Sequence, residues 1–467
     1  MIVMKFGGTS TQDAAAMRNV AQIVKARLHL HPIVVISAIA KATNILEQAG
    51  RLSAKGRRDE AKDLLKGLID RHYAIVDENI KQPRRLADLR AYITKAHQDL
   101  VELTHGVSIL RELTPRTLDA FCSYGELLSS KLIAATLCEA GMQAEWLDTK
   151  EFMITDHNFT SAMPLMEQVV SRLNKILTGK KAGTVFVTQG FIGSTEEERR
   201  TTMGRESSDY SAAIIGSALD VQDVQIWTDV DGILTGDPSV IKHPKKVKEM
   251  SFYEAYDLSF FGAKILHPNT MLPALEKNIP IHIYNSRRPN LSGSRVSSIK
   301  SSDKIQLKSV TSMGGITVIQ ISPAKRFSQY IFWEHIYSVL TRYRAIAKLT
   351  VTSEYNVAVA LEDRYDIPAI VHDIGELATV EVHNNLAIVS LIGANIRQDV
   401  AILKKVFTAS GAAPVSMISF GASGCNLSFI VPGDAARTVV ANLHREFFEN
   451  GLPPDMFEEL EHSSVKA

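Results

Sequence analysis

Two rhythms of apolar and polar positions divide the opening part of the chain. Short unbroken apolar runs, Ile2-Val3-Met4 and Ile33-Val34-Val35-Ile36, are too brief for helices and show no alternation. They predict strands covered on both faces. Between them, from Asp13 to about His29, apolar residues recur at helical spacing, which predicts an amphipathic helix. Helical spacing also covers most of residues 45–140, in text rich in Leu, Ala, Arg, Lys and Glu. Strand patterns resume at Ala144-Glu145-Trp146-Leu147, at residues 183–188, at Val224-Gln225-Ile226-Trp227 and at Ile281-His282-Ile283-Tyr284. Strands alternating with helices predict an α/β domain with a mainly parallel sheet.

The texture changes after residues 286–302, a stretch rich in Ser, Arg, Pro and Gly that reads as a linker. Strand, helix, strand, strand follow at residues 315–320, 331–343, 347–351 and 356–361. The order returns at 386–392, 400–410, 414–420 and 426–431, with a helix at 434–447. Two units of one pattern and similar length predict a duplicated ferredoxin-like module. The expected division is an α/β domain over 1–295, a linker and first small module over 296–384, and a second module over 385–462.

Composition changes this picture little. A chain of 467 residues should hold two or three domains. A net charge of +1 gives no bulk attraction to nucleic acid or membrane, so neither is expected as a partner. Cys122, Cys138 and Cys425 have no disulfide or metal-ligand spacing and fit buried thiols in a reducing compartment. The N-terminus lacks a signal peptide's basic and apolar regions, and no apolar run has membrane-spanning length. A cytoplasmic location is expected.

Candidate chemistry begins where the first strand ends, in Gly7-Gly8-Thr9-Ser10 before a helix. Glycines admit a ligand close to the backbone, and free N–H groups at a helix start favour an anion. Lys5 adds a positive charge beside them. An ordinary strand–turn–helix corner has the same text, and the spacing matches neither the P-loop nor the Rossmann fingerprint. Three further stretches stand out. Glu126 follows Ser123-Tyr124-Gly125, where a surface carboxylate would look alike. Arg205 precedes Ser208 and Asp209 at a helix start, which fits either simple capping or an anion site with a guanidinium clamp. Thr228 and Asp229 close a strand, where α/β sheets place ligands.

Five motifs in one order carry a resemblance: Lys5-Phe-Gly-Gly-Thr-Ser10, Thr188-Gln-Gly-Phe-Ile-Gly193, Gly204-Arg-x-x-Ser-Asp-Tyr210, Trp227-Thr-Asp-Val-Asp-Gly232 and Phe261-Gly-Ala-Lys-Ile-Leu-His-Pro268. Together they resemble aspartate kinase, across nearly the whole chain. The resemblance implies a three-layer amino-acid-kinase domain, like that of carbamate kinase, followed by two βαββαβ ACT domains. It implies transfer of the ATP γ-phosphate to the side-chain carboxylate of L-aspartate, giving 4-phospho-L-aspartate for lysine, threonine and methionine synthesis.

Residue roles follow from the same resemblance. Lys5 would neutralise the transferring phosphoryl group, since this chemistry depends on positioning and charge stabilisation. Gly7, Gly8 and Ser10 would line the phosphate cradle. Arg205 would hold the substrate α-carboxylate and Glu126 its α-ammonium, with Ser37, Thr43, Phe191 and Ser208 closing the pocket. Asp209 would organise Lys5 and, through water, the metal. Thr228, Asp229 and Lys264 would serve ATP. Mg²⁺ would arrive on the triphosphate, with no protein-ligated metal cage. The ACT units would pair into a homodimer or larger assembly and could take an amino-acid effector, with Ser322, Lys348, Thr352 and Ser353 as candidates.

The chain departs from the family at several points. Glu206-Ser207 stands in place of the usual Gly-Gly, Leu234 replaces a tyrosine near the nucleotide, and Ser239 replaces an arginine after Asp237-Pro238. Lys242, His243 or Lys245 could take over that phosphate contact. In lysine-inhibited relatives an aspartate meets the effector's ammonium; here alignment on Thr352-Ser353-Glu354 puts Lys348 in its place. A cation there would repel lysine by about 4 kcal/mol at ~4 Å and an effective dielectric near 20. The chain ends at Ala467, which leaves no room for an appended homoserine dehydrogenase and implies a monofunctional enzyme. The rivals are another kinase of the same fold and a small-molecule sensor that has lost turnover.

Overall fold

The computed structural model describes residues 1–181, 183–204, 206–263, 266, 268–299, 305–324, 329–354, 356–398, 400–449 and 456–460. The chain gathers into two compact units, each made of two stretches: Met1–Gly232 with Asn269–Ser298, and Ile233–Pro268 with Ile299–Ala467.

The first unit opens with β1 (Ile2–Phe6), α1 (Ala14–Lys25) and β2 (Pro32–Ile36). Four helices follow without a strand: α2 (Ala42–Ala54), α3 (Arg58–Asn79), α4 (Pro83–Leu110) and α5 (Pro115–Glu139). Proline opens α4 and α5, where its missing N–H is no loss, and the Thr114 hydroxyl accepts from Thr117 N–H to cap α5. Then come β3 (Ala144–Trp146), α6 (Met166–Leu177), β4 (Val185–Gln189), the hairpin β5 (Ile192–Ser194) and β6 (Arg200–Thr202), α7 (Ser208–Ala218) and β7 (Asp223–Thr228). The chain leaves for the second unit as β8 (Ile233–Leu234), β9 (Lys246–Val247), β10 (Glu249–Ser251) and α8 (Phe252–Phe260). It returns with α9 (Met271–Lys277), β11 (Ile281–Asn285) and β12 (Ser294–Ser297).

Within this unit the strand order is β12-β11-β7-β1-β2-β4-β3, parallel throughout except for β12. The apolar runs are covered on both faces, as expected. Ile2, Met4, Phe6, Val34 and Ile36 share one core with residues of α1 to α5, such as Met17, Leu46 and Leu128. The pleat turns Lys5 to the opposite face, in register with Val35 and Ile226, where α7 packs. The expected linker is partly built into the sheet: residue 286 directly follows β11, and β12 falls within the stretch, while its last residues, 300–302, lie outside the described residues.

The second unit continues with β13 (Gln306–Pro323), α10 (Gln329–Arg342), β14 (Leu349–Thr352), β15 (Val357–Glu362), α11 (Ile367–Ile374), β16 (Ala378–Ala394), α12 (Val400–Ser410), β17 (Met417–Phe420), β18 (Asn426–Pro432), α13 (Ala436–Phe448) and β19 (Phe457–Glu458). Six strands form one antiparallel sheet in the order β14-β15-β13-β16-β18-β17. The duplication is present, but its modules share strands. The second half of β13 pairs with β15, while its first half lies beside the second half of β16, next to β18. The sequence pattern breaks at Gly314-Gly315, yet the strand runs through them, with the register shifting between Met313 and Ile316. A bulge absorbs the residues that look like a stop. Helix α11 also escapes the pattern. It is eight residues long and buries Ile370 and Ile374, with Asp366 accepting from Ala369 N–H as its cap.

Residues 233–268 precede the linker in sequence but are built into this unit. Ser251 and Glu254 form a capping box at the start of α8. The Lys308 ammonium lies 2.9 Å from the Glu254 carboxylate, both nearly fully buried. Asp257 accepts from the Ser423 hydroxyl and the Asn426 amide at 2.7 Å each. Phe261 joins Ile316, Val318, Leu349 and Ile388 in a core on one face of the sheet. No helix among the described residues is long and apolar enough to cross a membrane.

Candidate active site

The first unit concentrates its polar groups at the ends of β1, β2, β4 and β7. Lys5, one residue before the end of β1, places Nζ 2.6 Å from Asp209 Oδ1 in the first turn of α7. Both side chains are about nine-tenths buried. Asp209 therefore does not cap α7. The residue before the helix is Ser207, whose side chain makes no capping bond and whose buried hydroxyl has no partner among the described residues. Uncapped N–H groups at a helix start suit an anion. A close approach holds α7 in place: a Cβ on Gly190 would lie 2.7 Å from Ser208 Cβ, so only glycine fits after β4.

Glu126 is buried in α5, with 3% exposure. Its Oε1 accepts from Ala38 N–H at 3.0 Å, and its Oε2 has no partner among the described residues. Burial is the main cause that pushes this carboxyl up to about 8, against lesser opposing contributions from the Ala38 N–H and the Lys5 charge. Gly125 makes the contact possible, because a Cβ there would sit 2.8 Å from Ala38 Cβ. A buried carboxyl with one open oxygen is poised to receive a cation. It is not the surface carboxylate its sequence context also allowed.

The remaining expected residues divide in two. Ser37 and Thr43 are partly exposed on the loop after β2 and at the start of α2. Phe191 is buried at a left-handed φ of +65°, with its N–H donated to the Ser211 hydroxyl at 2.8 Å. Gly7 N–H donates to Trp227 C=O at 3.1 Å, which draws the glycine turn against the end of β7. The Ser10 hydroxyl instead donates to Ser286 Oγ at 2.8 Å, and Ser286 Oγ donates to Thr228 C=O at 3.0 Å. Ser10 thus ties three strand ends together. Thr228 is partly exposed and Asp229 exposed, with the Thr228 hydroxyl 3.3 Å from Asp229 Oδ1. Arg205 and Lys264 lie outside the described residues. The open hydroxyls of Thr188 and Ser207 were not singled out by sequence, although both sit in quoted motifs; Thr188 Oγ1 is buried without a partner.

Each departure has a location. Glu206 is exposed and holds a φ of +63°, a conformation that glycine adopts freely and other residues at about 1–2 kcal/mol. Ser239 is exposed in the second unit, where its C=O accepts from Arg437 at 2.6 Å.

Among the effector candidates, Ser322 and Ser353 line a cavity of about 400 Å³ with Gln320, Val351, Ala358 and Glu381. The Ser322 hydroxyl donates to Asn356 Oδ1 at 2.8 Å. Thr352 ends β14 and is exposed. Lys348 is not among the described residues lining this cavity. Its ammonium donates to Phe260 C=O at 3.0 Å, lies 3.4 Å from Glu362 and sits 4.2 Å from the Phe260 ring centroid. Burial lowers this lysine from its usual range. Among the described residues no cluster of three His, Cys, Asp or Glu side chains could hold a metal.

Comparison with known proteins matches residues 1–285 to the Amino acid kinase family and residues 389–447 to the ACT domain. The chain is 33% identical over 457 residues to Lysine-sensitive aspartokinase 3 of Escherichia coli, covering 96% of this chain and 99% of the relative. It is 33% identical over 462 residues to the chloroplastic Aspartokinase 3 of Arabidopsis thaliana, covering 96% and 81%. The crystal structure of E. coli aspartokinase III with aspartate and ADP superposes with a TM-score of 0.88 at 32% identity, covering 96% and 100%. The lysine- and aspartate-bound structure of that protein gives 0.77 with the same coverage.

Proposed function

Because the chain belongs to the aspartokinases of the amino acid kinase family, and so transfers the ATP γ-phosphate to the side-chain carboxylate of L-aspartate, we propose that Lys5, Asp209, Glu126 and Arg205 form the core of its reaction site. The observation that carries these roles is the set of open polar groups at the strand ends: a lysine held by one carboxylate, an uncapped helix start and a buried carboxyl with a free oxygen.

The acceptor is an ionised carboxylate at neutral pH, so the reaction needs no general base to create its nucleophile. One carboxylate oxygen bonds to the γ-phosphorus as the bond to ADP breaks. Lys5, oriented by Asp209, offsets the charge on the moving phosphoryl group. The uncapped start of α7 adds positive potential. Arg205 holds the α-carboxylate and Glu126 the α-ammonium, with Ser37, Thr43, Phe191 and Ser208 around them. Gly7 and Gly8 admit the phosphates, while Thr228 and Asp229 hold the nucleotide. Asp209 and Asp229 are the carboxylates that would meet the water shell of a Mg²⁺ carried by ATP, which would offset triphosphate charge.

Glu126 adds a proton to this account. Near neutral pH most of the free protein holds Glu126 protonated. An arriving ammonium favours the ionised form, so aspartate binding releases a proton.

The relative named for lysine sensitivity supports an amino-acid effector at the ACT modules, and the cavity with Ser322 and Ser353 is the candidate place. We assign catalysis to 1–295 and regulation to 296–384 and 385–462, with residues 233–268 physically within the second unit. The product serves lysine, threonine and methionine synthesis in the cytoplasm, and the ACT modules pair the chain into a homodimer or an assembly of dimers. A coupled assay of ATP consumption with L-aspartate, L-glutamate or no acceptor tests the reading. Consumption should depend on L-aspartate; equal rates with L-glutamate would overturn the substrate assignment.

A further inference from the structure

We propose that Asp119 is a positioning residue for aspartate: its buried carboxylate fixes the backbone leading into Arg205, so that one face of α5 sets both anchors of the amino-acid substrate. The proposal rests on the roles given to Glu126 and Arg205 above.

Asp119 and Glu126 are seven residues apart on α5, about two turns, and share a helix face. Asp119 is 1% exposed. Its Oδ2 accepts from Thr202 N–H at 2.9 Å and from Thr160 N–H at 2.8 Å, and its Oδ1 accepts from the Thr202 hydroxyl at 2.7 Å. Three donors converge on it, a task suited to a carboxylate, which only accepts. An asparagine of the same shape would turn an N–H₂ group toward one of those donors.

The segments it gathers flank the approach to Arg205. Thr202 ends β6, and Met203 and Gly204 follow. Met203 N–H donates to Phe191 C=O at 2.9 Å, and Ala162 N–H donates to Thr202 C=O at 2.9 Å. Thr160 has a φ of +70°, a strained value for a β-branched residue, and Asp119 accepts its N–H. That strained loop backs onto Gly204, where a Cβ would sit 3.8 Å from Ser161 Oγ and 3.9 Å from Thr160 C=O. The loop, the strand end and α5 thus meet at a single carboxylate, and the strand end, Thr202, lies three residues before position 205 in sequence.

A residue that only staples the fold would lower the amount of active protein and leave both KM values alone. A positioning residue raises the KM for L-aspartate and spares ATP, because the α-carboxylate takes no part in the bonds that form and break. The test uses the full-length enzyme with Asp119→Asn, Thr202→Val, Arg205→Ala and the double variant Asp119→Asn/Arg205→Ala. In Asp119→Asn, kcat/KM for aspartate should fall about 10- to 100-fold, mostly through KM. The KM for ATP should stay within about twofold, and Thr202→Val should shift aspartate in the same direction by less. The double variant should lose little beyond Arg205→Ala alone, since both act on one contact. A folded Asp119→Asn with an unchanged aspartate KM overturns the proposal, as does a parallel rise in both KM values. Should Asp119→Asn not fold, Thr202→Val decides: an unchanged aspartate KM overturns it. If Arg205→Ala itself leaves the aspartate KM unchanged, the underlying site reading falls with it. If Arg205→Ala raises that KM and Asp119→Asn does not, only the role of Asp119 falls.

Discussion

Lys5 and Lys348 are both lysines at strand ends, each with about a tenth of its side chain exposed, and both read from sequence as facing a ligand. The structure separates them. Lys5 is held by Asp209 alone among the described residues, beside a glycine turn and an uncapped helix start. Lys348 has a carbonyl, a carboxylate and an aromatic face around its ammonium, all from its own unit. An ammonium has three donors. We propose that the number of those donors the protein itself engages separates Lys5, read as ligand-facing, from Lys348, read as structural. We infer that Lys348, expected from alignment to repel a lysine effector, keeps its charge within its own unit through these contacts.

The largest effect that sharpens this contrast belongs to the other open group, Glu126. Its replacement by Gln should lower kcat/KM for aspartate by about 2–5 kcal/mol equivalent, since a desolvated partner of the ammonium is lost. The KM for ATP should hold. A variant that weakened ATP instead would place Glu126 in the wrong pocket.

The pH dependence comes next. With Glu126 pushed up to about 8, the KM for aspartate should fall as pH rises toward that value and level off above it. The slope can reach about tenfold per pH unit, and Glu126→Gln should flatten it. Stability runs the other way. A folded value above the unfolded one, about 4.5, means that the folded state binds the extra proton. The Glu126 contribution is therefore full below about 4.5 and is lost as pH rises through about 8. Thermal melts without substrate should lose this contribution over that window, and saturating aspartate should restore part of it. A KM that is level across the window would remove the proton linkage.

The parallel sheet was legible in the sequence because its strands are covered on both faces, which removes alternation from runs such as Val34 and Ile36. The duplicated modules were legible too, but their strand sharing was not: Gly314-Gly315 imitates a boundary, and only pairing with β16 shows a bulge. Which of the proposed site residues the protein itself engages was not legible in their motifs. Nothing in the text of Ser10 shows that its hydroxyl turns to Ser286, 276 residues away. Nor does the text around Lys348 announce Phe260, which reaches it from the end of α8, or Glu362, which lies on the neighbouring strand β15. Asp119 escaped for the same reason, since its donors come from a loop at Thr160 and the end of β6, far along the chain.

A smaller effect is expected at Lys348. Lys348→Met should destabilise the second unit by about 1.5–3 kcal/mol, the range for a hydrogen bond to a charged group, visible as a lower denaturant midpoint. Lys348→Asp should destabilise it further, by facing Glu362 with a second carboxylate, without a gain in lysine inhibition. A stable Lys348→Asp enzyme with new sub-millimolar lysine sensitivity would return that position to the effector site.

The most direct test sets the two lysines side by side: kcat at saturating ATP and L-aspartate, per folded protein and without effector, for Lys5→Ala and Lys348→Met. Lys5→Ala should lower kcat roughly 10²–10³-fold, the loss typical of one preorganised charge at a transition state. Lys348→Met should stay within about threefold of the parent, because its ammonium serves packing rather than the reaction. Near-normal turnover in folded Lys5→Ala, or an equal collapse in both variants, would contradict the account.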